Sequence, residues 1–326
     1  MRILTLSIAA AVGLTFMNAP TPAYSAPKQY TLAVGSLGGT MGRLGAGLSN
    51  LLNDKQNNYK FSVVPGGGRA NPARVGTGGA DFGFSFSNLT KAARMGTFPY
   101  KKSYKNLRMV AMFWNSCYHQ YISKELYDPG IKTWDDIVAS KKPLKLGPSK
   151  KGTSSEFFSQ LIVKHLGTSY GELTKRGYKL MFAGAGGSSR AIASRNIDMY
   201  VHNSGIPNGA GLRAHLSRDL TFMDMSPSVK KMLVSHQFQE CTIPGGTYKG
   251  AKTDKHSMGA SGMLLTTDKM SSKTVYNMLK IAHANTKTLK NVHKVFKTWT
   301  PKLASQKLGV PMHPGALKFY KEAGTR

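Results

Sequence analysis

Short apolar segments alternate along the chain with segments whose apolar positions recur every three to four residues. The first pattern is typical of buried strands, and the second is typical of helices that pack one face on a sheet. Strands are predicted at residues 30–34, 60–64, 80–85, 107–114, 117–123, 144–147, 179–183, 197–202, 221–223 and 257–265. Helices are predicted at residues 40–54, 71–75, 89–95, 134–139, 153–166, 188–195, 209–217 and 229–237, and over 271–323 with interruptions near Pro301 and Pro311. This alternation predicts an α/β fold with largely parallel sheets.

The order of these segments predicts two lobes. We expect the chain to cross between them near residues 125–130 and 235–245, because no internal repeat or low-complexity linker divides it elsewhere. Lobe 1 would then comprise residues 27–125 and 240–326, and lobe 2 residues 126–239. A hinged interdomain cleft between such lobes is a natural site for a small ligand.

The first 26 residues have the pattern of a secretory signal peptide. Arg2 supplies a positive charge, residues 3–17 are apolar, and residues 23–26 offer small side chains for cleavage. A membrane anchor is the alternative, but the apolar run is shorter than the roughly 20 residues that cross a bilayer. We therefore expect an exported protein that loses residues 1–26.

The formal net charge of +30 is unusually high for a chain of 326 residues. Such a charge attracts nucleic acids, anionic membranes or anionic solutes. The basic residues are spread through the sequence, and Lys287, Lys290, Lys294 and Lys297 have the spacing of a solvated helix face. Because nucleic-acid binders usually show a dense basic run or an aromatic motif, we expect small anions as partners and no nucleic acid.

Sequence motifs for catalysis and for metal binding are missing from the chain. It contains no His-Glu-x-x-His, Cys-x-x-Cys, nucleophile elbow or phosphate-binding loop, and its 15 acidic residues form no persuasive catalytic pair. We therefore expect a protein that is not an enzyme and that needs no metal and no other cofactor.

Two cysteines, Cys117 and Cys241, are the chain's only thiols. In an oxidising compartment they could form one disulfide. Two buried, inert thiols are the alternative, because a sequence does not show whether the two Cβ atoms lie within bonding distance.

Two glycine-rich loops of lobe 1 are the first candidates for ligand binding. Glycine lets the backbone approach a ligand closely, and a helix start presents unpaired N–H groups and a positive dipole end. An arginine there could pair with a carboxylate in bidentate fashion. A tight turn, a helix cap or a solvated arginine is the alternative for each loop. The candidates are Ser36, Gly39 and Thr40 in the first loop, and Gly68, Arg69 and Asn71 in the second.

Further candidates follow strand ends, where α/β sheets place their ligands. Ser85, Ser87 and Asn88 do so in lobe 1, with an ordinary helix cap as the alternative. In lobe 2, a second helix start beside Lys150 and Lys151 would suit an anion. The candidates at this helix start are Gly152, Thr153 and Ser154. Asn203 and Pro207 are candidates for the lip of the cleft, and Trp114 and Tyr248 are candidates for aromatic walls. An aromatic residue of this kind could equally belong to the core.

Several motifs, taken in order, resemble the TAXI-type solute receptors of TRAP transporters. They are Gly38-Gly39-Thr40, Gly67-Gly68-Arg69-Ala70-Asn71, Gly79-Ala80-Asp81, Gly205-Ile206-Pro207, Ile243-Pro244 with Tyr248, and Met312-His313-Pro314-Gly315. The resemblance implies a monomeric periplasmic receptor with a two-lobed, Venus-flytrap (type II-like) fold. It further implies delivery of a small carboxylate to integral-membrane TRAP permease subunits.

The chain departs from the family pattern at the expected cleft. Met41 and Gly42 stand where the family often has tyrosines, Arg69 stands where serine is usual, and Asn88 replaces an aspartate. Loss of that aspartate favours a more anionic ligand, and the identity of the ligand stays open. Two other functions stay open as well: a sensor whose bound state is read by a membrane kinase, and an exported enzyme acting on an acidic substrate.

Overall fold

The computed structural model describes residues 27–326, so the predicted signal peptide lies outside the described residues. Ten strands form one mixed sheet with the order β2-β1-β3-β10-β4-β7-β5-β6, to which β8 is added beside β4 and β9 beside β10. The strands are β1 (Lys28–Ala33), β2 (Tyr59–Val64), β3 (Phe82–Phe86), β4 (Leu107–Ser123), β5 (Lys145–Gly147), β6 (Lys179–Leu180), β7 (Met199–Ser204), β8 (Leu220–Phe222), β9 (Gln239–Ile243) and β10 (Lys255–Thr267). The α/β fold class is confirmed.

Fourteen α-helices within residues 27–326 surround this sheet. They are α1 (Thr40–Lys55), α2 (Asn71–Gly76), α3 (Ser87–Met95), α4 (Lys124–Tyr127), α5 (Trp134–Ala139), α6 (Ser154–His165), α7 (Tyr170–Lys175), α8 (Ala185–Ala193), α9 (Gly209–Ser217), α10 (Pro227–Ser235), α11 (Ser272–Ala284), α12 (Thr286–Val292), α13 (Pro301–Ala304) and α14 (Pro314–Glu322). A 3₁₀ turn, Lys294–Thr298, follows α12. Within the described part of the chain, none of the helices combines the length and the apolarity that crossing a membrane requires.

The long strand β4 joins the two halves of the sheet. The sequence predicted two strands here, which was wrong, because Asn115 and Ser116 continue the pairing with β10 and leave no break. Further along, β4 pairs with β7 instead. Residues before Cys117 therefore belong to the half that contains β1, β2, β3 and β10, and residues after it to the half that contains β5, β6 and β7. The lobe boundaries themselves stay a prediction.

The prediction of largely parallel sheets was also wrong. Parallel pairs occur at the two ends of the sheet, where β1 pairs with β2 and β3, and β5 pairs with β6 and β7. At the centre, β10 is antiparallel to β3, β4 and β9, and β4 is antiparallel to β7 and β8. The antiparallel pairs arise because the two longest strands, β4 and β10, run against their neighbours.

Helix α1 packs closely on β1 and so fixes the position of its own N-terminus. Leu44, Leu48, Leu51 and Leu52 form its buried face. A Cβ atom at Gly45 would lie only 2.3 Å from Cγ1 of Val34, so a side chain there would push the helix away from the strand. The same close packing holds the start of α1 over the end of β1.

A disulfide between Cys117 of β4 and Cys241 of β9 is present in the structure, with 5.9 Å between the two Cα atoms. The two cysteines are 124 positions apart in sequence, and the loop that the disulfide closes includes every element from β5 to α10. In the chain-entropy view, a cross-link over so long a loop restricts the unfolded chain strongly.

Candidate functional site

A cavity lies between the two halves of the sheet, where the N-termini of α1 and α6 meet; we call it the interlobe cavity. Fifteen residues line it: Gly35, Ser36, Gly39, Thr40, Met41, Gly67, Gly68, Phe86, Trp114, Ser149, Thr153, Ser154, Ser155, His202 and Asn203. The cavity has a volume of about 30 Å³. A space of 30 Å³ holds little more than water, so the lobes are nearly in contact around it.

Helix α1 directs unpaired N–H groups toward the interlobe cavity. Its N-cap, Gly39, is extended and makes no side-chain capping bond, so the N–H groups of the first turn have no acceptor within the helix. Thr40 and Met41, the first two residues of the helix, line the cavity. The positive end of the helix dipole therefore faces the space from the first half of the sheet.

Helix α6 does the same from the opposite side. Its N-cap, Thr153, accepts a hydrogen bond from the Glu156 N–H at 3.2 Å, which satisfies only one of the first-turn donors. Ser154 and Ser155, the first two helical residues, line the cavity. Two helices of 16 and 12 residues thus present their positive ends to one space.

The second glycine loop is held in place by Asn71. The Asn71 side-chain amide donates to the carbonyls of Ala33, Val34 and Phe84 at 2.8–3.0 Å and accepts from Gly67 N–H at 3.1 Å. Ser85 adds a hydroxyl bond of 2.6 Å to the Gly68 carbonyl. Both side chains were predicted to face a ligand, but in the structure they hold the loop whose Gly67 and Gly68 line the cavity.

Several polar side-chain atoms at the cavity have no hydrogen-bond partner among the described residues. They are the indole Nε1 of Trp114, both ring nitrogens of His202 and Oδ1 of Asn203. Trp114, His202 and Asn203 are 3%, 8% and 8% exposed, so bulk solvent barely reaches them. Buried polar groups normally pair with protein, ordered water or a ligand, so these atoms are available to a molecule in the cavity.

The electrostatic character of the lining is neutral. None of the fifteen lining residues is Asp, Glu, Lys or Arg, and His202 is the one histidine among them. Burial lowers the pKa of His202 to about 4. At neutral pH the cavity therefore offers hydrogen-bond donors and dipoles, without a formal charge.

Half of the predicted ligand-binding residues lie at the interlobe cavity. They are Ser36, Gly39, Thr40, Gly68, Trp114, Thr153, Ser154 and Asn203. Sequence reasoning missed Gly35, Phe86, Ser149, Ser155 and His202 as lining residues, and it placed Met41 at the cleft only as a departure from the family pattern. His202 ends a predicted strand directly before Asn203, and that position was the signal that could have suggested it.

Arg69 lies outside the cavity lining. Its guanidinium donates to Glu156 Oε2 at 3.0 Å and to Gln160 Oε1 at 3.1 Å, both on α6. The Arg69 side chain is 27% exposed and that of Glu156 is 5% exposed. In this arrangement the guanidinium binds a carboxylate of the protein itself and joins the second glycine loop to the opposite lobe.

The remaining predicted residues also have other contacts in this arrangement. Ser87 and Asn88 begin α3, where Asn88 Oδ1 accepts from the Leu89 N–H at 2.9 Å. The Gly152 carbonyl accepts from the Ala70 N–H at 3.1 Å. Pro207 lies beside Arg43 and His293, in a different depression. Tyr248 is buried, and its hydroxyl lies 2.9 Å from Nε2 of His119.

A mixed α/β sheet in two halves, with a small cavity between them, is the two-lobed fold of the Venus-flytrap type. The chain belongs to the NMT1-like family, whose family model matches residues 32–324.

Solved structures of binding proteins resemble this fold. MatC from Rhodopseudomonas palustris, with bound malate, has a TM-score of 0.50 and 14% identity over 82% of this chain and 88% of that one. The periplasmic aliphatic sulphonate binding protein SsuA from Escherichia coli has a TM-score of 0.44 and 12% identity over 91% of this chain and 84% of that one. At these identities the likeness concerns the fold alone.

Proposed function

We propose that this protein is a periplasmic receptor that captures a small organic anion, foremost a carboxylate, and delivers it to a membrane permease. The observation that carries the proposal is the meeting of two helix N-termini, one from each lobe, at a closed cavity whose lining bears no charged side chain. An anion satisfies unpaired N–H groups and complements both dipoles. No carboxylate among the lining residues would repel it.

Hydrogen bonds of this kind can supply a useful affinity. Micromolar binding corresponds to about −8 kcal/mol. Bonds from N–H groups to a charged acceptor contribute roughly 1.5–3 kcal/mol each, so about four of them reach that range. The first turns of α1 and α6, with Trp114 Nε1, provide such donors. The surrounding charge of +30 would raise the local concentration of anions at the mouth.

Binding would require the two lobes to open and close. A cavity of about 30 Å³ does not admit an organic acid, so a ligand would enter an open form. Residues 27–125 with 240–326 would then move against residues 126–239, and the chain segments near 125–130 and 235–245 would connect them. A ligand shifts this equilibrium only if it contacts both lobes in the closed form, which the positions of α1 and α6 would allow.

The finer assignment to TAXI-type receptors of TRAP transporters rests on the sequence motifs. Of these, Gly38-Gly39-Thr40 contributes two residues to the cavity and Gly67-Gly68 contributes two more. The permease subunits of a TRAP transporter would be the membrane partner, and the receptor would act as a monomer. Transport assays in a strain that lacks the receptor gene would test this assignment separately from ligand binding.

Ligand binding itself is tested by thermal-shift screening of carboxylates, sulfonates and phosphates, with native mass spectrometry of any co-purified molecule. Malate is one of the first compounds, since MatC binds it. A ligand present at 100 times its Kd stabilises the folded protein by about 2.7 kcal/mol, which raises Tm measurably. If no organic or inorganic anion raises Tm, the proposal is wrong.

A matched pair of glycine substitutions tests whether the anion occupies the interlobe cavity. A Cβ at Gly39 would lie 3.7 Å from Nε2 of His202, whereas a Cβ at Gly38 meets nothing within 4 Å. We expect Gly39→Val to fill the cavity and abolish the Tm shift. Gly38→Val, one residue away on the exposed side of the turn, should retain it. Equal shifts in both variants would place the anion elsewhere.

A further inference from the structure

The imidazole of His202 is a buried group that the fold leaves without a hydrogen bond. The residue is 8% exposed, and neither ring nitrogen has a partner among the described residues. Its Nε2 would lie 3.7 Å from a Cβ atom at Gly39, the N-cap of α1, and both residues line the interlobe cavity. A ligand in the cavity would therefore contact this ring and the first turn of α1 together.

The neighbours of His202 supply no charge that would hold it in either protonation state. His119 on β4 is paired with His202 in register. The two ring nitrogens of His119 are within hydrogen-bond distance of the Cys117 carbonyl and the Tyr248 hydroxyl. On α1, Gly39 and Thr40 are uncharged. On α6, Ser154 and Ser155 are uncharged, and Glu156 is paired with Arg69. On β7 itself, Tyr200 and Ser204 are the same-face neighbours.

We propose that His202 is a ligand-binding residue that takes up a proton from solvent when an anion enters the cavity, so that an imidazolium donates a hydrogen bond to the bound anion. This inference rests on the proposed function. Its physical reason is that a buried anion without a counter-charge is costly. The imidazole is the one titratable side chain in the lining that can provide this charge.

Proton uptake by His202 would make the affinity for an anion depend on pH. Burial holds the pKa of His202 at about 4 in the empty cavity, and a bound anion at hydrogen-bond distance would raise that pKa. Between the two values, binding takes up a proton, and affinity increases as pH falls, by about tenfold for each pH unit. Above the raised pKa, affinity no longer depends on pH.

The experiment is isothermal titration calorimetry of the mature protein with methanesulfonate and with malate, from pH 7.5 to 5.5. Two buffers with different ionisation enthalpies at each pH give the number of protons taken up. Methanesulfonate stays ionised throughout this range, so the unmodified protein alone gives a direct readout. We expect uptake that approaches one proton per bound anion at the lower pH.

Two variants assign the proton to its residue. His202→Gln keeps a hydrogen-bond donor but does not titrate, so it should bind without that proton uptake and with a flatter pH dependence. The difference between the two proteins cancels any protons taken up by malate itself. His256→Gln, at an exposed histidine on β10, should behave as the unmodified protein does.

Binding without proton uptake by the unmodified protein would overturn this inference and leave the proposed function intact. Unchanged uptake in a folded His202→Gln variant would do the same. If neither methanesulfonate nor malate nor any other anion binds, the proposed function fails, and this inference fails with it.

Discussion

Asn71 shows how one side chain can hold a loop at the interlobe cavity without itself lining the cavity. It is fully buried, and its amide pairs with three carbonyls and one N–H of β1, β3 and the second glycine loop. Asn71→Ala would leave those backbone groups buried without partners, and we expect it to lower the free energy of unfolding by about 3 kcal/mol. Urea denaturation followed by circular dichroism measures this change.

The matched control for that substitution is Asn57→Ala. Asn57 is exposed in the turn before β2. Substitutions at such positions usually change stability by less than about 0.5 kcal/mol. If both variants had the same stability, the network around Asn71 would not contribute as its geometry implies.

Residue types in the site could be predicted from the sequence, but side-chain directions could not. The glycine loops and helix starts that supply Gly39, Thr40, Thr153 and Ser154 follow from local patterns, because turns and caps depend on nearby residues. The direction of Arg69 depends on Glu156, which is 87 positions away in sequence. No local pattern distinguishes a guanidinium that binds a ligand from one that binds another helix.

At the scale of elements, the Arg69–Glu156 ion pair joins the second glycine loop to α6. Because the two residues would lie on different lobes, the pair should form only when the lobes are closed, so it favours the closed form. For an anion that raises Tm, we expect Arg69→Ala to weaken binding by about tenfold, or about 1.4 kcal/mol, through loss of this contact. Calorimetry measures the affinity, and small-angle X-ray scattering measures the accompanying increase in radius of gyration.

A double-mutant cycle shows whether Arg69 acts through Glu156. Glu156→Gln should weaken binding similarly, and the double variant should be little worse than either single one. Lys175→Ala provides a control, because the Lys175–Glu172 pair is exposed and lies within one helix. Additive losses in the double variant would indicate that Arg69 contacts the ligand directly.

Local patterns predicted most strands and long helices but missed features that depend on partners. The polar Asn115 and Ser116 suggested a break in a strand, yet pairing with β10 satisfies their backbone groups and β4 continues. Strand β9 (Gln239–Ile243) was not predicted, because its largely polar, exposed residues form a strand only beside β10. Both the continuity of β4 and the formation of β9 depend on pairing with a strand that is distant in sequence, which local sequence patterns do not show.

At the scale of the whole molecule, the basic charge and the neutral cavity have different roles. The chain has 45 basic and 15 acidic residues, but none of them lines the cavity. Composition could predict an attraction for anions. It could not predict that the lining of the interlobe cavity carries no acidic or basic side chain, because that depends on which residues the two lobes bring together.

Histidines within the fold make the stability of the whole molecule depend on pH. Burial lowers the pKa of His119 to about 3 and those of His202, His215 and His283 to about 4, whereas an unfolded histidine titrates near 6.5. Below pH 6.5 the unfolded chain binds more protons than the folded one. The stabilisation is therefore complete above about pH 6.5 and is lost as pH falls toward 4.

We expect the free energy of unfolding to fall by about 1.4 kcal/mol per pH unit for each such histidine within that window. Urea denaturation at half-unit steps from pH 7.5 to 4.5 measures the slope. His215→Gln removes one of these titrations and should make the slope shallower by about 1.4 kcal/mol per pH unit, whereas the exposed His256→Gln should leave it unchanged. A flat profile between pH 6.5 and 4.5 would mean that these imidazoles are not kept neutral by burial, and the neutral state of the empty interlobe cavity would have to be abandoned with it.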